Sequence, residues 1–149
     1  MHVTAHAGEA KGPESVRETL EHFHPTRIGH GVRSVEDDAL LAFLKSEDIH
    51  LEVCPTSNVQ TNVVAAIEDH PAEKIWRNGV SMSINTDGRA LSDVTLTQEY
   101  DTMQRVFGWQ MDRLLQCNLE AVRHAFTSDE KKTELRERLQ LAWSREHGA

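Results

Sequence analysis

The sequence is short of positive charge, of long apolar runs and of paired cysteines, and each shortage excludes a class of protein. Its 16 Lys and Arg stand against 24 Asp and Glu, a formal net charge of −8. Nucleic acid and anionic membrane are therefore poor partners, since both call for a basic surface; a soluble enzyme with small ligands suits the balance. No stretch approaches the roughly 18 consecutive apolar residues that mark a membrane-spanning helix. The opening Met1-His2-Val3-Thr4 lacks the charged-then-apolar pattern of a secretory leader. The two cysteines, Cys54 and Cys117, show no CxxC spacing, so reduced thiols in a cytoplasmic protein are expected, with Cys54 serving as a small buried hydrophobe. No repeat or low-complexity segment interrupts the 149 residues, enough for one domain with a real core.

What is present is an alternation of short strands and helices. Residues 2–6 read as a strand with His2, Thr4 and His6 on one face. Gly12-Pro13 opens a helix whose apolar stripe is Val16, Leu20 and Phe23. Residues 27–30 form a very short second strand. Ser34 is the expected N-cap of the next helix, with Asp37 three residues on, and Leu40, Leu41, Phe43 and Leu44 form its apolar face. Ile49 to Val53 is the third strand, stopped by Pro55, and Thr56-Ser57-Asn58 reads as loop. A loose helical region runs to Arg77, and Asn78-Gly79 turns the chain into a fourth strand over 80–86. Beyond Asp93 the chain reads as helical. Leu96, Tyr100, Met103 and Phe107 form one stripe, and Leu115, Leu119, Val122 and Phe126 the next. Leu135, Leu139 and Trp143 follow on a last helix capped by Ser128, whose Arg and Glu residues form a solvated face. Strand–helix repeated four times is the order of a parallel α/β protein, and four units are about half of an eight-unit barrel of ~250 residues.

In such folds ligands bind beyond the C-terminal ends of the strands, and three stretches place chemistry there. Val80, Met82 and Ile84 alternate with Ser81, Ser83, Asn85 and Asp87, so Asp87 ends the fourth strand on its polar face. His6-Ala7-Gly8-Glu9 and Ile28-Gly29-His30-Gly31 follow the first and second strands. His6 and Asp87 are N and O donors of the kinds that bind Zn²⁺. Glu9 can present a carboxylic acid to a substrate held over the metal. His30 can orient or deprotonate a water that zinc has brought to a pKa of roughly 7. The other histidines, His2, His22, His24, His50, His70, His124 and His147, read as surface or packing residues.

Taken in order, His6-Ala7-Gly8-Glu9, Arg27-Ile28-Gly29-His30-Gly31, Val53-Cys54-Pro55-Thr56-Ser57-Asn58 and Ser83-Ile84-Asn85-Thr86-Asp87 resemble the adenosine deaminase family, essentially from end to end of the chain. The resemblance implies residues 1–149 as a partial domain, the C-terminal half of a zinc-containing (β/α)₈ barrel. It implies His6 and Asp87 as metal ligands, Glu9 as proton donor to the purine ring, and His30 as the residue holding the attacking water. The expected reaction is hydrolytic deamination of adenosine to inosine; the alternatives are adenine or another aminopurine, or a catalytically silent half-barrel acting as an assembly module. Two departures stand out. The family's HxH pair on the first barrel strand has no counterpart here. Many members also carry a second Asp, which bonds a purine nitrogen, where this chain has Gly88. The expected partners are a purine nucleoside and either the other half of the barrel or another copy meeting the open strand edges.

Overall fold

The computed structural model describes residues 2–147, the side chain of His147 excepted; the reading of His147 as a surface residue lies outside the described residues. Four short strands alternate with helices: β1 (Thr4–Ala7), α1 (Pro13–Phe23), β2 (Arg27–His30), α2 (Asp38–Ser46), β3 (His50–Val53), α3 (Pro55–Gln60), α4 (Ala72–Arg77) and β4 (Met82–Ile84). Four more helices follow, α5 (Arg89–Ser92), α6 (Leu96–Phe107), α7 (Met111–Arg123) and α8 (Asp129–His147). The strands pair in parallel in the order β1-β2-β3-β4, the half-barrel arrangement expected from the strand–helix repeat. No helix among the described residues is long and apolar enough to cross a membrane.

Register and alternation divide the sheet into two chemically distinct faces. Ile28, Leu51 and Met82 stand side by side and are fully buried under the helices, among Val16, Leu40, Leu44, Ile75 and Met103. The opposite face carries polar rows. Thr4, Arg27 and His50 lie in one register, and His6, Gly29, Glu52 and Ser83 in the next. Arg27 pairs with Glu52, which also accepts from Thr4 Oγ1 at 3.2 Å. Between Ser81 and Ser83 sits His50, its ring nitrogens 2.8 and 2.9 Å from their hydroxyls and its ring stacked 4.7 Å from His124.

Several sequence expectations need correction. The first strand is Thr4–Ala7, so His2 lies outside it and stacks on Phe126 at 4.8 Å. Ser34 does not cap a helix. The left-handed Gly31 (φ 67°) turns the chain into a 3-10 turn, Val32–Glu36, that contains Ser34, and the cap moves on to Asp37, whose Oδ1 accepts from Leu40 N at 3.0 Å. Thr56-Ser57-Asn58 is the first part of α3 rather than loop, because Pro55 at N1 starts a helix. Phe23, at the last position of α1, is 62% exposed instead of completing the stripe. On α7 the buried positions are Leu114 and Cys117, while Leu115, Leu119 and Val122 are half-buried, because this helix packs on both β4 and α8 and uses two faces. Leu135, Leu139 and Trp143 are likewise half-buried, and Lys131 N donates to Ser128 Oγ at 3.3 Å as expected of that cap.

Leu51 sits at the centre of the apolar face, fully buried. Leu51→Ala is expected to cost about 2–5 kcal/mol, read from the urea midpoint at constant m-value. Acid should also destabilise the fold. Burial, with His124 and Arg27 nearby, pushes His50 down to about 3, and burial pushes His70 down to about 4. Unfolded histidine titrates near 6.5. Below that pH the unfolded chain takes up protons that the folded chain refuses, so stability falls as pH drops from about 6.5 toward 4. A urea midpoint that stays level between about pH 7 and 5 would contradict this; His50→Asn should flatten part of the slope.

Candidate active site and metal centre

Left-handed turns end the strands and aim the polar side chains. At the end of β1, Gly8 adopts φ 63°, and a Cβ there would come within 2.6 Å of Val16 Cγ2 and 3.2 Å of the Gly31 backbone. Only glycine passes between them, and Glu9 follows directly. At the end of β2, His30 is itself left-handed (φ 63°), at a cost of about 1–2 kcal/mol for a residue with a side chain. The turn is held by Gly31 N donating to Ala7 O at 2.9 Å and Arg33 N to Gly8 O at 3.0 Å. Beyond β4, Asn85 N still bonds Val53 O at 2.8 Å, and Asp87 turns left-handed at φ 57°. Strained residues of this kind gather where function holds them.

The four sequence candidates converge. Donor atoms of His6, Glu9 and His30 all lie within 4.8 Å of one another. His30 Nε2 is 3.5 Å from Glu9 Oε2 and 3.9 Å from Asp87 Oδ2, and the His6 and His30 rings meet edge to face at 4.9 Å. His6 and Asp87 line one cavity of about 510 Å³ together with His30, Glu52, Cys54 and Asn85. Glycine makes room for His6, since a Cβ on Gly29 would come within 2.5 Å of its ring. His30 is 1% exposed. Burial lowers its pKa and His6 adds to that, against the raising effect of Glu9 and Asp87. The Cys54 thiol is buried too and pushed up to about 12, chiefly by burial and then by Asp87 and Glu99, which keeps it protonated and inert.

Residues given no role from the sequence hold three of these four in place. Ser57 Oγ donates to Asp87 Oδ2 at 2.8 Å. Asn58 lies 3.1 Å from His30 Nδ1 through its Nδ2, and 3.1 Å from His70 Nε2 through its Oδ1. Thr61 Oγ1 lies 3.2 Å from Glu9 Oε1 and 2.9 Å from Ser57 O, so its one proton faces both acceptors. Ser57, Asn58 and Thr61 all come from α3 and its C-cap. The signal was the motif Pro55-Thr56-Ser57-Asn58, whose reading as loop hid its role; His70 carried no sequence signal beyond being a histidine. Gly88, at φ −71°, needs no glycine for its backbone, and a Cβ there would meet nothing nearer than Leu91 at 3.6 Å.

The family model described as adenosine deaminase matches residues 1–142. An adenosine deaminase of Salmonella schwarzengrund is 41% identical over 141 residues, 95% of this chain and 42% of that protein. Among solved structures, an adenine deaminase from Arthrobacter aurescens superposes with TM-score 0.92 at 28% identity, over 97% of this chain and 44% of that one. The N6-methyl-AMP deaminase of Arabidopsis thaliana superposes at 0.85 with 30% identity, over 98% and 42%. A zinc-bound amidohydrolase from Burkholderia ambifaria does so at 0.87 with 25% identity, over 97% and 41%. The chain thus spans somewhat less than half the length of each of these relatives. A family match over nearly every residue, on a parallel sheet whose strand ends gather His6, Glu9, His30 and Asp87, means that the chain belongs to the adenosine deaminase family.

Proposed function

We propose that the chain provides the metal-binding and proton-transferring side of a zinc-dependent deaminase that hydrolyses the amino group of adenosine. The observation that carries this reading is the convergence of His6, Glu9 and His30 within 4.8 Å, with Asp87 3.9 Å from His30, at the C-terminal ends of three parallel strands. Relatives named adenosine deaminase support the substrate.

The donors fit zinc in kind. His6 and Asp87 would hold the ion, an imidazole and a carboxylate on one cavity wall, with Ser57 orienting the carboxylate as ligand-supporting groups do. Catalytic zinc centres use three protein ligands and a water, of which this chain supplies two in this reading. When bound, zinc supplies the Lewis acidity that makes water nucleophilic near neutral pH. Glu9 is the general acid. Thr61 anchors its Oε1, leaving Oε2 toward His30 and the cavity, from where it protonates the ring nitrogen as the amino-bearing carbon is attacked. His30 holds the attacking water. The open edges of the sheet, β1 and β4, take up the remaining strands, from a polypeptide carrying the preceding strand–helix units or from a second copy.

Deamination is tested on the chain alone and with a polypeptide supplying the first four strand–helix units of a family member. Adenosine turnover is expected in the second case. Glu9→Gln should lower it by about 10²–10⁴-fold while zinc stays bound. His6→Ala and Asp87→Ala should lose metal and activity together, and Gly29→Ala should follow His6→Ala by displacing its ring. A Glu9→Gln loss under about tenfold rejects the acid role, and no turnover by the assembled barrel favours the silent assembly module. A second reading, adenine or another aminopurine, is favoured by Gly88, which has no side chain to bond a purine nitrogen, and by the adenine deaminase neighbour. The open space at Gly88 makes Gly88→Asp structurally tolerable. On an adenosine site it should hold or raise adenosine turnover; loss of that turnover, with adenine processed by the unmodified protein, establishes the second reading.

A further inference from the structure

We infer that His70 and Asn58 form a relay that fixes neutral His30 as its Nε2–H tautomer, so that His30 faces the site as a hydrogen-bond donor and not as a base. Ala72 N–H can only donate, and it bonds His70 Nδ1 at 3.2 Å. His70 Nδ1 must therefore be bare, and the proton of the neutral ring lies on Nε2. That Nε2–H points at Asn58 Oδ1, 3.1 Å away, so the amide oxygen accepts and the amide orientation is set. The amide nitrogen is then left to donate to His30 Nδ1 at 3.1 Å. A ring whose Nδ1 accepts carries its proton on Nε2, the atom 3.5 Å from Glu9 Oε2 and 3.9 Å from Asp87 Oδ2.

The reverse arrangement is blocked at its far end. Flipping the Asn58 amide would require a bare His70 Nε2 and hence a proton on His70 Nδ1, directed at the Ala72 N–H. A doubly protonated His70 meets the same conflict, and burial independently holds this ring down to about 4. Water does not easily replace any link, because His30, Asn58 and His70 are 1%, 0% and 3% exposed. Asn58 and His70 are thus positioning residues. Neither touches Glu9 or Asp87 in this chain of bonds, yet together they decide which face of the His30 proton inventory the site receives. A donor at Nε2 can hold the lone pair of an attacking water or hydroxide and stabilise it as charge shifts; it cannot remove that water's proton. The catalytic consequence rests on the proposed deaminase reading, whereas the tautomer does not.

The test is histidine-¹⁵N NMR on the full chain near neutral pH, where long-range proton–nitrogen correlations separate the two tautomers; a sedimented sample read by magic-angle spinning serves equally if the chain associates. His30→Gln and His70→Gln assign the signals. His30 and His70 are both expected as Nε2–H. His30 found as Nδ1–H, as a rapidly averaged mixture, or as imidazolium overturns the proposal. Asn58→Asp replaces the donating amide by an acceptor and should switch His30 to Nδ1–H; a folded Asn58→Asp protein that keeps Nε2–H refutes the relay. If that variant does not fold, Asn58→Leu should release His30 to a tautomer mixture, and a His30 still locked as Nε2–H refutes it equally. In the assembled barrel, loss of the His30 donor in Asn58→Asp should reduce kcat by about 10–100-fold, the usual scale for groups that orient site histidines. Absence of deamination in every assembled protein would defeat the deaminase reading while leaving the NMR result to stand or fall alone.

Discussion

The parallel register of the four strands is the constraint on which the rest of the molecule depends. It places His6, Gly29, Glu52 and Ser83 in a single row and brings the strand ends to a common edge. The row works because its members differ in size. Gly29 is the empty place in it, and His6 leans into that place so closely that a single methyl would meet its ring. The left-handed turns at Gly8, His30 and Asp87 then redirect the chain immediately beyond the row. A register slip of one residue would exchange the polar and apolar faces of a strand, burying charge under the helices and exposing Leu51 or Met82.

The polar face also explains why a sheet of this kind reads as amphipathic when parallel strands are usually apolar on both sides. Arg27, Glu52 and Thr4 satisfy one another, and His50 spans two serine hydroxyls. These contacts satisfy polar groups on the face of the sheet that lies opposite the hydrophobic core. Their cost is visible in His50, whose charge the site refuses down to about pH 3 because burial leaves too little solvation.

Much of this was legible in the chain itself. The strand–helix repeat, the parallel sheet and the positions of His6, Glu9, His30 and Asp87 follow from alternation and from motifs whose residues stay local in sequence. What escaped depended on contacts between distant segments. Ser34 has the right side chain for a cap, but the turn at Gly31 moves the helix start to Asp37. The burial of Leu114 and Cys117 in place of Leu115 and Leu119 on α7 arises because the helix packs against two neighbours. Ser57, Asn58 and His70 gain their roles only when α3 is laid against the ends of β2 and β4; no periodicity records that.

The short helix α3 is consequently the element where outer packing and site chemistry meet. It grips Asp87 through Ser57, His30 through Asn58 and Glu9 through its C-cap Thr61. Six residues are too few to hold a helix by propensity alone, so the restraint comes from outside it. Pro55 fixes its first turn, and Glu99 of α6, fully buried, accepts the Thr56 N–H at 3.1 Å. Burial raises the Glu99 pKa against the lowering effect of that bond, so this carboxyl is retained where an apolar side chain would be cheaper to bury. A methyl or methylene in its place would leave the first turn of α3 with an unanswered N–H. The three groups that α3 orients would then lose their common anchor together, which ties the geometry of the strand ends to a residue on a helix that follows all four strands in sequence.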